Sequence, residues 1–344
     1  MKKKEYYSIG IMSGTSLDGI DISLIKTDGN KDIDIIKNEY FEFKIKFIDE
    51  VKSLITNFNI KGPDKTISSN LFKNINEEFS KNIIKKINLF IDTLNLKKEK
   101  IDVIGLHGIT LFHAPEKKIS IQLGNSKLIS EIVGIRVVSD FRINDILKGG
   151  QGAPLVPIYH HAIFSKENKN IVVVNIGGIS NYTMLIGKEF IYASDIGPGN
   201  VLLDKFCFEY LNENFDNNGK CSEKGRVIGA LIDDWKNKDF MRIKHPVSFD
   251  NYYFKLDDYI STNFDKYDLL RSLTFFTALT ISNLQSKYSY QIDEWVFSGG
   301  GIKNKTLMMH IKELLPINKV KFSDQKGFES DFIESQAFAY IAVR

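Results

Sequence analysis

The sequence predicts an α/β fold built from two similar halves, and three features predict it. Residues 8–24 read SIGIMSGTSLDGIDISL: an apolar strand, a tight turn of Ser13, Gly14, Thr15 and Ser16, and an alternating strand through Leu17, Asp18, Gly19, Ile20 and Asp21. From Ile171 a second hairpin of the same type follows, VVVNIGGIS, with Gly177 and Gly178 at its tip. Residues 295–297 then form a strand that runs into Gly299, Gly300 and Gly301 ahead of a helix. Each glycine turn stands at a strand end, and about one subdomain separates it from the next.

Taken in order, residues 33–47 alternate apolar and polar side chains as a third strand does. Leu71, Ile75, Phe79, Ile83, Ile87, Phe90, Ile91 and Leu94 recur at helical spacing over 66–94, giving one long amphipathic helix or two in series. Residues 101–106 form a short buried strand ending at His107, Gly108, Ile109 and Thr110, and 120–123 and 135–139 are further strands leading into polar loops. Three strands, a helix, a strand and a helix make a ribonuclease-H-like half. The stretch DFRINDILKGGQGAPLVP, residues 140–157, carries Gly149, Gly150, Gly152 and two prolines, the composition of a domain hinge or a binding loop. The halves are accordingly expected at 1–140 and 141–330, with a C-terminal helix at about 331–344 packing back on the first. In the second half, strands at 182–186 and 190–194 precede helices at 202–210 and 269–288, and 334–343 closes the chain as a helix. Two such halves are expected to face each other across a nucleotide cleft.

At 344 residues the chain is long for a single core. Apolar residues at 43% and charged residues at 26% are those of a globular protein, and 46 basic against 43 acidic residues provide no dedicated nucleic-acid surface. Cys207 and Cys221 are too few for a disulfide framework or a zinc site, and read as inert thiols in a reducing compartment. The start, MKKKEYYSIG, lacks the apolar run of a signal peptide, and no run reaches a membrane span. A cytoplasmic protein with no membrane or nucleic-acid partner is expected.

The first hairpin carries neither GxxxxGK[ST] nor a GxGxxG leading into a helix. Its small hydroxyls and unencumbered glycine let backbone N–H groups close on a phosphate, as in the first phosphate loop of actin-like, hexokinase-like and Hsp70-like ATPases. The plainer reading is an ordinary turn, since the same residues are turn formers. Asp18 and Asp21 could hold Mg²⁺ through water, a hard cation that keeps much of its hydration, or could simply cap the turn. Asp195, ahead of Gly197, Pro198, Gly199 and Asn200, is aimed by a rigid turn and could take a proton during phosphoryl transfer; the alternative is an N-cap for the helix near Val201. His107 and His113 could bond a sugar or act as a base, or be satisfied structural histidines. Arg142 matches a substrate carboxylate with its planar fork, against the alternative of a surface salt bridge.

The motif set resembles the anhydro-N-acetylmuramic acid kinases. The resemblance rests on GIMSGTSLDGID (10–21), LHGITLFH (106–113), IQLGN (121–125), DFRINDILKGGQGAPLVPIYH (140–160), NIGGISN (175–181), DIGPGNVLLD (195–204) and GGGIKN (299–304), in order along nearly the whole chain. It implies two duplicated ribonuclease-H-like domains of the actin-like class and a homodimer using ATP and Mg²⁺. The implied reaction phosphorylates 1,6-anhydro-N-acetylmuramic acid at O6 with hydrolytic opening of the 1,6-anhydro ring, giving N-acetylmuramic acid 6-phosphate in murein recycling. Asp195 takes the place of the general base. Residues 13–20, Gly177, Gly178, Gly299, Gly300, Gly301 and Asn304 fall on the ATP site, and His107, Arg142, His160, Gly197 and Asn200 on the sugar site. Two departures stand out: Ile109 replaces the family's usual Gln, and a block that usually reads PKSTGRE is here Pro246, Val247, Ser248, Phe249, Asp250, Asn251 and Tyr252. The competing readings are a phosphate-ester or polyphosphate hydrolase of the same fold, with Asp195 activating water against phosphorus, and a non-catalytic sugar-binding regulator.

Overall fold

A computed structural model describes residues 5–14, 17–249, 253–260 and 263–344, with the backbone alone of Phe190. Thr15, Ser16, Asp250, Asn251 and Tyr252 therefore lie outside the described residues. The chain forms two compact units, Met1–Ile163 with Phe332–Arg344, and Phe164–Asp331.

The first unit contains β1 (Tyr6–Met12), β2 (Gly19–Thr27), β3 (Ile33–Glu42), α1 (Ile45–Lys61), α2 (Pro63–Ile67), α3 (Asn70–Asp92), β4 (Ile101–Ala114), β5 (Ile119–Leu123), α4 (Ser126–Val133), β6 (Val137–Val138), α5 (Phe141–Leu147) and α6 (Pro157–Phe164). The second contains β7 (Asn170–Ile176), β8 (Ile179–Ile186), β9 (Phe190–Pro198), α7 (Val201–Phe206), α8 (Gly229–Trp235), α9 (Lys266–Ser282), β10 (Glu294–Ser298), α10 (Lys305–Leu314) and β11 (Val320–Phe322), and α11 (Ile333–Val343) returns to the first.

The duplication is written in the sheets. The first is ordered β3-β2-β1-β4-β5, with β6 also on β4; the second is ordered β9-β8-β7-β10-β11. In each, three antiparallel strands lead to a fourth that pairs parallel with the first, β4 on β1 and β10 on β7. This is the ribonuclease-H-like order twice over.

Strand alternation decides what covers each face of the first sheet. Ile9, Ile11 and Ile104 are fully buried in a core with Phe47, Leu54, Phe79, Ile83 and Phe90 of α1 and α3. Their neighbours Ser8, Gly10 and Gly105 face α11, where the Ser8 hydroxyl donates to the Ala339 carbonyl at 2.7 Å. A Cβ on Gly10 would stand 1.8 Å from the Ser335 carbonyl oxygen, so α11 lies directly on bare backbone. The second unit has two cores, one of Val172, Val174, Trp295, Phe297 and Ile311 between sheet and α10, the other of Leu202, Phe206, Trp235, Phe254 and Phe276 under α7 and α8.

Several elements differ from the sequence expectation. The third strand stops at Glu42 rather than 47, because Phe47, Val51, Leu54 and Phe58 bury one face of α1 at helical spacing. The strand expected at 101–106 continues to Ala114 through a bulge at His107. The polar stretches at 126–133 and 141–147 are helices; Asn125 caps α4, its Oδ1 accepting from Leu128 N–H at 3.0 Å. The first unit extends beyond residue 140 to Ile163, since α5 is held to β4 by side-chain bonds described below.

Candidate functional site

In the first unit the β1–β2 hairpin is registered with Met12 opposite Asp21. Ser13 is 1% exposed, and among the described residues its hydroxyl has no hydrogen-bond partner. A buried hydroxyl left unpaired beside a turn is a donor without an acceptor, which a phosphate oxygen would satisfy. Leu17, at φ 58°, donates its N–H to the Gly14 carbonyl at 3.2 Å and closes the turn. Leu17 and Ile20 bury their side chains in the core, so only their backbones can meet a ligand. Asp18 is exposed; its Oδ1 accepts from Gly19 N–H at 3.0 Å and its carbonyl accepts from Phe43 N–H at 3.0 Å and the Tyr40 hydroxyl at 2.9 Å. The Tyr40 ring occupies the space a side chain at Gly19 would need. Asp18 and Asp21 supply oxygen donors of the kind Mg²⁺ takes. No group of three or more His, Cys, Asp or Glu able to hold a metal occurs among the described residues, so such an ion would complete its shell with water and phosphate.

His107 shares the α11 face of β4 with Gly105, its ring 4.5 Å from that of Phe338 and within reach of α5. Arg142 donates Nε–H to His107 Nε2 at 2.8 Å and another N–H to the Gly152 carbonyl at 2.9 Å. Because Nε2 accepts, His107 carries its proton on Nδ1 and donates to the Gly108 carbonyl at 2.8 Å. Burial, with the Arg142 guanidinium beside it, pushes the His107 pKa down to about 3. Asp145 folds the glycine-rich loop onto α5, accepting from Gly152 N–H at 2.8 Å. Arg142 is thus a half-buried positioned cation rather than a surface salt-bridge partner.

Sequence reasoning missed Glu334, in the first turn of α11. Burial raises its carboxyl above the ordinary value, Arg142 draws it back and Asp18 adds to the rise. Its signal was a lone acid opening an otherwise apolar helix, IESQAFAYIAV. Asp18, Glu334, Arg142 and His107 therefore form one electrostatic group. His160 is 4% exposed on α6 and held neutral by burial, its pKa about 3. His113 is exposed, with Nδ1 3.0 Å from the Ser120 hydroxyl. Ile109 is wholly buried in the core opposite Leu123, so no polar contact comes from that position.

In the second unit all the remaining candidates gather at the C-terminal end of β7. The β7–β8 tip is bound by the turn that follows β9: Gly199 and Val201 N–H donate to the Gly178 carbonyl at 2.9 and 3.0 Å, and Asn200 N–H to the Gly177 carbonyl at 2.8 Å. Gly199 has no space for a side chain, which would stand 2.3 Å from the Gly177 carbonyl oxygen. The triple-glycine turn lies on the same strand end, where a Cβ on Gly299 (φ 83°) would meet Asn175 Oδ1 at 2.2 Å and one on Gly301 would meet Ile176 Cγ2 at 2.2 Å. Asn304 is the N-cap of α10, its Oδ1 accepting from Leu307 N–H at 2.9 Å. The Ser180 hydroxyl, fully buried, has no partner among the described residues.

Asp195 lies within β9, not beyond the strand, immediately before a register shift against β8. It is not a helix cap; Asn200 occupies that position for α7. Asp195 N–H donates to the Val247 carbonyl at 2.9 Å and its Oδ2 accepts from Phe249 N–H at 2.7 Å. Burial lifts its pKa to about 6, against the pull of the Phe249 N–H and the Ser248 hydroxyl. A half-buried carboxylate oriented by Phe249 N–H and the Ser248 hydroxyl is equipped to take a proton near neutral pH.

A family model described as anhydro-N-acetylmuramic acid kinase matches residues 5–344. The chain belongs to that family. The anhydro-N-acetylmuramic acid kinase of Pelagibacter ubique is 37% identical over 360 residues, covering 99% of this chain and 92% of the relative. Those of Pseudomonas fluorescens and Rhodopseudomonas palustris are 36% and 33% identical, covering 97% and 98% of this chain and 91% and 92% of theirs. Among solved structures, the chain is similar to component A of (R)-2-hydroxyglutaryl-CoA dehydratase from Acidaminococcus fermentans, 11% identical, covering 98% of each chain at a TM-score of 0.49. As a member of this family the chain is a kinase. Its two cysteines are both free, and burial pushes the Cys207 thiol up to about 12, so that thiol stays protonated. No helix among the described residues is long and apolar enough to cross a membrane.

Proposed function

We propose that this kinase transfers the γ-phosphoryl group of ATP to O6 of 1,6-anhydro-N-acetylmuramic acid while water opens the anhydro bridge, giving ADP and N-acetylmuramic acid 6-phosphate for murein recycling. Asp195 carries the reading. Its carboxylate takes a proton from water, the water oxygen bonds to C1, the C1–O6 bond breaks, and O6 bonds to phosphorus as the bridging P–O bond to ADP breaks. A base with pKa about 6 is mostly ionised at neutral pH yet still basic enough to accept that proton. Family membership over nearly the whole chain supports the substrate.

In this reading residues 13–20 close on phosphate, with the unpaired Ser13 hydroxyl donating to a phosphate oxygen, while Gly177, Gly178, Gly299, Gly300 and Gly301 admit the nucleotide against bare backbone. Arg142, oriented by His107, pairs with the lactyl carboxylate of the sugar; Glu334 accepts from a sugar hydroxyl, and His160, Gly197 and Asn200 complete the sugar site. Asp18 and Asp21 hold hydrated Mg²⁺, which when bound neutralises phosphate charge. The working protein is a cytoplasmic homodimer whose partners are the amino sugar and ATP.

The test is ADP release with Mg-ATP, with and without the anhydro sugar, and with the product identified by mass. Sugar-dependent release and a product heavier by one phosphoryl group (HPO₃) and one water are expected, and chelation of Mg²⁺ should stop it. Release without the sugar, or a product still carrying its bridge, would overturn the reading.

A further inference from the structure

The segment that touches Asp195 buries little of itself: Lys244, Pro246 and Ser248 are exposed, and His245, Val247 and Phe249 are only half-buried. Met241, Ile243 and Phe249 pack, partly buried, on the core under α7 and α8, and hydrogen bonds hold the segment at both ends. Upstream, Lys287 Nζ donates to the carbonyls of Met241 at 3.3 Å and Ile243 at 3.1 Å. His245 Nδ1 lies 2.8 Å from the Tyr182 hydroxyl, which lies 2.5 Å from the Tyr288 hydroxyl. Downstream, Val247 N–H donates to the Ser194 hydroxyl at 2.9 Å, the Val247 carbonyl accepts from Asp195 N–H at 2.9 Å, and Phe249 N–H reaches Asp195 Oδ2 at 2.7 Å. Phe249 stands edge-on to Phe240 and Phe254 at 6.2 and 5.3 Å between centroids.

We propose that residues 241–249 form a strap that positions the Asp195 carboxylate, and that His245, clasped by Tyr182 and Tyr288, is the positioning residue that sets where Phe249 N–H meets it. This rests on the reading of Asp195 as the base. Tyr182 is buried in β8, which pairs with β7 and β9, so the clasp ties the strap to the sheet that also carries Asp195 on β9. His245 and Val247 are not among the residues packed on that core, so between Ile243 and Phe249 the clasp decides the register in which the last N–H arrives.

The groups around the clasp are Lys287, Tyr192, Tyr288 and Tyr290, and those around the carboxylate are the Ser248 hydroxyl and Phe249 N–H. Burial and Lys287 hold the His245 pKa at about 4, so the clasp itself does not titrate near neutrality. A change in pH dependence on loosening it is therefore Asp195's.

The experiment compares His245→Leu, His245→Asn and Tyr182→Phe by three readouts: the pH profile of kcat/KM for sugar-dependent ADP release, nucleotide affinity, and the ¹³C carboxyl titration of Asp195. Loosening the strap weakens an N–H bond that favours the ionised form and admits water that relieves the larger desolvation of the carboxylate, so the acid limb and the carboxyl titration should move together, by about half a pH unit, a roughly threefold change in proton affinity. In His245→Leu kcat should fall roughly tenfold with nucleotide affinity unchanged, and His245→Asn, which restores a hydrogen-bonding side chain, should recover most of it. Tyr182→Phe removes one oxygen and keeps the core filled, so it reports even where the Leu variant folds poorly. An Asp195 titration unmoved in both His245→Leu and Tyr182→Phe would overturn the strap. Full turnover in Asp195→Asn would instead overturn the base, and the ¹³C titration would still decide the strap.

Discussion

The Arg142 guanidinium donates to His107 Nε2 at 2.8 Å, and that one bond fixes the state of both groups. The imidazole stays neutral with its proton on Nδ1, and the guanidinium is held in one orientation with its remaining N–H groups committed in direction. Lysine cannot reproduce the fork. Arg142→Lys should raise the sugar KM at least about tenfold while leaving nucleotide affinity within a factor of about two, measured by steady-state kinetics and nucleotide titration. With its pKa near 3, His107 should contribute no inflection to activity between pH 5 and 9.

The seat of α11 makes a second prediction. A Cβ at Gly10 would stand 1.8 Å from the Ser335 carbonyl oxygen, and one at Gly105 would stand 2.1 Å from that of Phe338. Both obstacles are helix backbone, which cannot rotate aside. Gly10→Ala and Gly105→Ala should each destabilise the first unit by about 1–3 kcal/mol or more in urea unfolding. Because Glu334 rides on that helix, the sugar KM should rise in parallel with the lost stability.

Much of this was legible in the sequence because glycines and carboxylates at strand ends are local signals. The duplicated hairpins, the long helix near 66–94 and the placing of glycine turns at strand ends follow from period and turn chemistry that need no tertiary information. What escaped were features decided by packing. The α1 helix hid behind an alternating prelude whose Phe47 fits either period, and α5 hid inside a loop because its helical face is closed by Asp145 and Arg142, not by an apolar stripe. Asp195 was found as a residue but misplaced beyond its strand, since the Gly-Pro-Gly that follows reads as a turn while β8 keeps pairing with β9 as far as Pro198. Glu334 was legible only as the lone acid of its helix, because its significance lies in Arg142 and Asp18, far from it in sequence.

The triple-glycine turn offers a third test. Gly299 adopts φ 83° and has Asn175 Oδ1 2.2 Å from where a Cβ would be, so alanine there is strained twice over. Gly300 has nothing within 4 Å of its Cβ position. Gly299→Ala should deform the turn and cost nucleotide affinity tenfold or more by calorimetry, with a loss of stability. Gly300→Ala should fold normally, and any loss of nucleotide affinity it shows then reports on close approach of the ligand itself.

Asp195 joins stability to chemistry. Its pKa is raised in the folded state to about 6 from an ordinary 3.8, so between those values the folded protein binds more protons than the unfolded chain. Stability must then fall as pH rises from about 4 through 6, and the penalty is complete above 6. A raised carboxyl is the reverse of an ion-paired one, which stabilises above its unfolded pKa. Asp195→Asn removes the buried charge while its side-chain oxygen can still accept from Phe249 N–H. The variant should unfold about 1–3 kcal/mol later than the parent at pH 8, with the difference closing by pH 4, followed by thermal melts across that range. Over the same range kcat/KM of the parent should fall tenfold per pH unit below about 6, as the base becomes protonated, and the variant should show no turnover at any pH. A variant that is more stable at pH 8 and inactive would show that the fold tolerates this carboxylate at a cost in stability because the reaction requires it. Equal stability of parent and variant at pH 8 would mean the carboxylate is solvated, and the acid limb would then lie near pH 4.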